Sequence, residues 1–161
     1  MITMGNYYDN IDFKWTGSGD FAIEQGDIAD TQEDTLLSLK QEIQTICKSS
    51  LGEWEIWPGI GAGLADFIGE ANIKATADLI HDRVRVSIIS QGIVNEEDLT
   101  INVIPTNKFE VLVIIRVQAT PTPYNNLGQG NVLVVSAIYD YLEQGINFLY
   151  KTPELLISGR S

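Results

Sequence analysis

From residue 72 to 92 the apolar side chains Ile73, Ala77, Ile80, Val84 and Ile88 recur every three to four positions, and this stripe leaves few folds open. A 3.6-residue period puts all five on one face of a helix, so the segment must pack against something apolar. Asn72 stands where an N-cap belongs and Gly92 where a left-handed terminus belongs, so the spacing predicts a helix between them. A second stripe, Leu36, Leu39, Ile43, Ile46 and Cys47, predicts another helix over residues 32–49, with Lys40, Glu42 and Lys48 turned elsewhere. Thr31 supplies an N-cap hydroxyl, Glu33 and Asp34 place acids at the positive end, and Gly52 supplies a stop.

After Asp98 the period changes from helical to alternating. Leu99, Ile101 and Val103 read as one face of a strand, Pro105-Thr106-Asn107 as a turn, and the β-branched run 109–117 as a second strand. Because that run is apolar on both faces around Val111 to Ile115, it reads as a central strand, covered by the helices on one side and by something else on the other. Residues 120–131, with Pro121, Pro123, Gly128 and Gly130, read as a hinge that cannot continue a sheet. Val132 to Ile138 is β-branched and favours a strand, although Val135, Ile138, Tyr141 and Leu142 also fit a helix closing at Gly145. Residues 146–150 read as one more strand, and 151–161 as a tail.

The expected fold is therefore α+β: two amphipathic helices packed on a small, mostly antiparallel sheet, with an extended N-terminal arm and a C-terminal strand extension. Residues 1–30 form the arm, 31–119 the core and 120–161 the extension. The arm is aromatic, acidic and dotted with glycine, and has one short strand or turn near Phe21 to Ile28. A chain of 161 residues suits one such core.

Charge narrows the function. A net charge of −12 opposes binding to a phosphate backbone, so nucleic acid is not an expected partner. The acids Asp9, Asp12, Asp20, Glu24, Asp27, Asp30, Glu33 and Asp34 face only Lys14 at the start of the chain, which suits either a solvated surface or a face for a basic neighbour. No apolar run approaches the ~20 residues of a membrane helix, and the opening residues do not read as a signal peptide. A lone cysteine fits a reducing cytoplasm as the place of synthesis.

Residues able to carry chemistry are sparse. His81 is the sole histidine and is flanked by Asp78 and Asp82 within one helical turn, the pattern of a solvated face. Cys47 lies on an apolar stripe and reads as core. One histidine, one cysteine and scattered acids give no metal-ligand spacing, and Gly59-Ile60-Gly61-Ala62-Gly63 lacks the lysine and preceding strand of a phosphate loop. No cofactor is expected. Two carboxylate pairs have the separation that glycoside hydrolysis uses: Glu53 with Glu55 on an extended segment, at about 6.5–7 Å, and Asp66 with Glu70 on a short helix, at about 6 Å. That chemistry also needs one acid held neutral in an apolar pocket, of which these residues give no sign.

Between the helices lies Gly52-Glu53-Trp54-Glu55-Ile56-Trp57-Pro58-Gly59-Ile60-Gly61-Ala62-Gly63-Leu64, where glycines and proline turn the backbone repeatedly and two indoles seek burial in a packed loop. Gly-Glu, four residues, Pro, two, Gly, two, Leu is similar to the signature of the wedge and sheath-initiator family of contractile phage tails, related injection devices and type VI secretion baseplates. The order also agrees: Gly19-Asp20-Phe21 and Gly26-Asp27-Ile28 precede the first helix, Phe67 and Glu70 precede the second, and strands follow. The resemblance covers about residues 19–118. Trp54 stands where many members carry arginine, and Gln91-Gly92-Ile93 where many carry Glu-Pro-Arg.

The resemblance implies a structural virion protein of the tail baseplate rather than an enzyme. It implies six copies around the tail axis, clamped to larger wedge proteins, with strands offered to the tail sheath protein and contact with tube or hub proteins. Gly52, Glu53, Trp54, Trp57, Pro58, Gly61, Leu64, Phe67 and Glu70 are the partner-binding residues it suggests. Residues 132–150, with the N-terminal arm as a further candidate, are the expected exchanged parts, so deleting residues 120–161 should leave a folded core unable to seed sheath. The runner-up is a peptidoglycan-degrading enzyme, since some members bear the inherited label of baseplate lysozyme.

Overall fold

The computed structural model describes residues 13–16, 20–31, 35–67, 70, 73–108, 110–118, 132–140 and 145–149; for 35, 36 and the last two ranges it is the backbone that is described. Helix α1 spans Thr35–Lys48 and α2 spans Lys74–Ser90. A hairpin of β1 (Ile23–Glu24) and β2 (Asp27–Ile28) precedes α1. A four-stranded antiparallel sheet follows α2, in the order β3 (Leu99–Pro105), β4 (Glu110–Gln118), β5 (Val132–Asp140), β6 (Gly145–Leu149). The α+β class read from the periodicities is the observed one.

The core lies where both helical stripes meet one face of the sheet. Leu39, Ile43, Ile46 and Cys47 of α1, Ile80, Val84 and Ile88 of α2, and Val111, Val113, Ile115 and Val117 of β4 belong to a single buried cluster. Alternate residues of a strand share a face, so the odd positions of β4 face the helices. Ile114 points the other way and is buried as well, in keeping with a strand apolar on both sides. Burial pushes the Cys47 thiol up from its ordinary 9.0 to about 12, so it is an inert core group.

Helix ends differ in detail from the expected ones. The N-cap of α2 is Ile73, in extended backbone and without a side-chain cap, and Ile73 is exposed rather than part of the buried stripe. Asn72 lies outside the described residues, as do residues 32–34 of the proposed α1 cap. At the other end Gly92 takes a φ of 68° and its N–H bonds Ile89 O at 2.9 Å, the left-handed termination expected of it. Gly52, read as the stop of α1, comes four residues after Lys48 and shapes the following loop instead.

Strand β4 is central, and β5 pairs with it over its whole length, from Glu110↔Asp140 to Gln118↔Val132. Helix α1 also packs against β5. The strand reading of 132–138 therefore holds over the helical one, and the sheet crosses the compositional boundary at residue 119. This argues against the expectation that deleting residues 120–161 leaves a folded core, because it would strip β4 of a nine-residue partner. The hinge at 120–131 and the tail at 151–161 lie outside the described residues.

The N-terminal arm has more order than composition suggests. Isolated bridges Phe13↔Asp30 and Trp15↔Phe21 tie residues 13–15 to both strands of the β1–β2 hairpin, giving a three-segment meander closed on itself and turned at Gln25 and Gly26 with φ of 54° and 87°. The buried Gln41 of α1 holds it: its Nε2 donates to Phe13 O at 2.9 Å, and its Oε1 accepts from Trp15 N at 3.0 Å. One amide thus satisfies a donor and an acceptor of an incoming strand.

Candidate functional site

The segment joining α1 to α2 divides into a buried strap and an exposed finger. The strap is residues 61–64. Ala62 N donates to Ile46 O at 2.8 Å and Gly63 N to Ser49 O at 3.0 Å, so the strap satisfies carbonyls at and just past the end of α1. From the other side Ser87 of α2 donates its hydroxyl to Gly61 O at 3.0 Å. Ala62 and Leu64 enter the core. Gly61 sits so close to the end of α1 that a Cβ there would lie 2.5 Å from Ser49 O, and its φ of 128° is one that L side chains rarely adopt. Only glycine fits both conditions.

Residues Leu64–Phe67 then form a 3-10 turn tied to α2 by Arg83. The Arg83 guanidinium bonds Asp66 Oδ2 at 2.9 Å and lies 5.0 Å over the Phe67 ring. Glu70 lies outside that turn, its N–H on Phe67 O at 3.1 Å, which corrects the expectation of Asp66 and Glu70 stacked on one short helix.

The finger is residues 52–58. Gly52, at φ 80°, donates its N–H to Pro58 O at 2.9 Å and closes the neck. Glu53 folds back, its Oε2 accepting from Ser50 N at 2.9 Å and its N–H donating to Ser50 O at 3.1 Å. The backbone bends through 54–56, so Glu53 and Glu55 do not stand on an extended segment as a catalytic pair would require. Trp54, Ile56 and Trp57 project from this bend with 45%, 78% and 61% of their surface exposed. The expected burial of the two indoles is therefore overturned. Closed at its neck by the Gly52–Pro58 bond, this short loop leaves all three side chains largely in solvent. Trp54 keeps one tie, Nε1 to Ser49 Oγ at 3.0 Å, which fixes its orientation.

Of the residues suggested by the signature, Gly52, Pro58, Gly61, Leu64 and Phe67 build the elbow, while Trp54 and Trp57 are presented by it. Glu53 stabilises the neck and Glu70 is exposed nearby in sequence. Leu51 and Ile56 were missed, and both are exposed apolar side chains, Ile56 in the finger and Leu51 just before it. Their signal was a run of large apolar residues with neither helical nor alternating period. Ser49, Ser87 and Arg83 were missed too, because they serve the elbow from outside it.

Other chemistry stays apart from this loop. His81 Nδ1 lies 3.0 Å from Asp82 Oδ1 on α2, and Asp78 pairs with Lys74 at 3.0 Å. Among the described residues no three histidine, cysteine, aspartate or glutamate side chains converge as metal ligands would, and no helix is long and apolar enough to cross a membrane. The elbow and its flanking helices define an α+β scaffold carrying an apolar finger. Comparison with protein-family models, curated proteins and solved structures finds no match to this chain.

Proposed function

We propose that this protein is a structural wedge subunit of a contractile-tail baseplate, without enzymatic activity, that binds larger wedge proteins and initiates sheath assembly around the tail tube. The observation that carries this reading is the way the signature divides: its glycines, proline and leucine lock the elbow, and its indoles stand in solvent. A catalytic loop would turn its polar groups towards a cleft, whereas this one turns aromatic surface outward and ties Glu53 and Asp66 to Ser50 and Arg83. Six copies around the tail axis, located in the virion baseplate after synthesis in the host cytoplasm, accompany the proposal.

Magnitudes fit a repeated contact. Covering the exposed parts of Trp54, Ile56 and Trp57 removes on the order of 300 Å² from water, roughly 7 kcal/mol before association costs. Those costs run to about 4–15 kcal/mol, so a single finger binds weakly and gains from six-fold repetition. Among the described residues β3 and β6 are the edges of the sheet, and an edge offers the backbone groups that strand addition by a sheath protein requires.

The test is co-purification of the full chain with the wedge proteins encoded beside it, followed by sheath polymerisation on tubes. Trp57→Ser with Ile56→Ser should leave the chain folded and abolish wedge binding. A doubly substituted chain that still enters baseplates, or wild-type protein that clears peptidoglycan, would defeat the proposal.

A further inference from the structure

A second exposed apolar surface lies on the N-terminal meander, on a different part of the chain from the elbow. Ala22 and Ala29 are cross-strand neighbours, and Ala29 is buried, so this side of the meander faces the body of the protein. The strand pleat then sends Phe21, Ile23 and Ile28 to the other side, and Ile23 is directly opposite Ile28. Phe13 and Trp15 join them: Trp15 stacks on Phe21 with centroids 4.7 Å apart, and Phe13 meets Phe21 edge-on at 5.5 Å. All five side chains are substantially exposed.

The hairpin that carries this patch is acidic, with Glu24 and Asp27 on its other side by the same pleat. Within residues 13–31 the described ionisable groups are Asp20, Glu24, Asp27 and Asp30 against Lys14, which itself pairs with Glu24 at 3.3 Å. We propose that this aromatic face is a docking surface for a segment of another protein that carries apolar anchors flanked by lysine or arginine. A second copy of the chain is a poor occupant, because two faces with this acid excess repel and the whole chain carries −12. A basic segment gains from the same field, in encounter rate and in register. The Gln41 clasp fixes the first segment of the meander to a helix, so the face is ordered before a partner arrives. This surface is independent of the baseplate proposal, and either can fail alone.

Fluorescence anisotropy with labelled synthetic peptides tests it on the full chain. The probes are a lysine–leucine alternating peptide, its glutamate–leucine counterpart and a lysine–serine peptide. Binding is expected for the first alone. Phe21→Ser and, as a milder change, Ile23→Ser should weaken it by about tenfold or more. Asp27→Lys should weaken it and flatten its salt dependence. Trp57→Ser on the elbow, and Asp82→Lys with Glu97→Lys elsewhere on the surface, should change it by less than about twofold. Circular dichroism of each variant separates lost binding from lost folding. Equal binding of the lysine–serine peptide, an equal loss in the Asp82→Lys, Glu97→Lys control, no binding at all, or self-association of the chain that Phe21→Ser abolishes would each overturn the inference.

Discussion

Strand β4 and the elbow finger are both dense in large apolar side chains, and their fates are opposite. In β4, Val111, Val113, Ile115 and Val117 are all buried against the helices. In the finger, Trp54, Ile56 and Trp57 remain in solvent, although α1 ends only a few residues before them. The difference is periodicity. A strand repeats every two residues and meets a flat partner surface along its length, so its apolar groups are covered together. A bent loop has no repeated face, and its neck bond from Gly52 to Pro58 fixes its tip outward. Apolar residues in a periodic element stabilise this fold, and the same residues in an aperiodic one are left available to a partner.

Removing residues 120–161 should have the largest effect, since β4 would lose β5 and α1 would lose part of its floor; urea titration should then show no cooperative transition. A truncated chain that unfolds cooperatively would restore the separate-extension view. Ile115→Ala, which empties a fully buried site, should cost about 4 kcal/mol in chemical denaturation. Gly61→Ala forces a Cβ against Ser49 O and should cost about 3 kcal/mol, showing that the finger depends on a strap as stringent as the core.

Alkaline pH should act more mildly. The buried Cys47 thiol titrates near 12 in the folded chain and at its ordinary 9.0 when unfolded, so deprotonation favours the unfolded state as pH rises between those values. Stability should fall by on the order of 1 kcal/mol at about pH 10 relative to Cys47→Ala, and the thiol should resist aromatic disulfide reagents until denaturant is added. Smallest of all, Trp57→Ser should shift stability by less than about 0.5 kcal/mol while removing partner binding. A large loss of stability there would mean that the finger packs against its own chain after all.

Much of the fold was legible because its elements are periodic. The α1 residues Leu39, Ile43, Ile46 and Cys47, the α2 residues Ala77, Ile80, Val84 and Ile88, and the β3 alternation of Leu99, Ile101 and Val103 all occupy the positions their spacing indicates. The elbow was legible as a turn but not as a presenting surface. Nothing local distinguishes an indole that will be buried from one that will not, and Trp54 and Trp57 were read the wrong way for that reason. Gln41 offered no signal either, since a glutamine on a helix is ordinary until a strand arrives to use both ends of its amide.

The order of side chains was enough to specify two helices, a hairpin, an acidic surface and a glycine requirement between the helices, because each depends on neighbours within a few positions. Packing across the whole chain was needed before β5 could complete the sheet beside β4, Gln41 could clasp the meander, and the finger could be left in solvent. Those outcomes depend on which surfaces meet across dozens of residues, and burial belongs to that meeting rather than to any one residue.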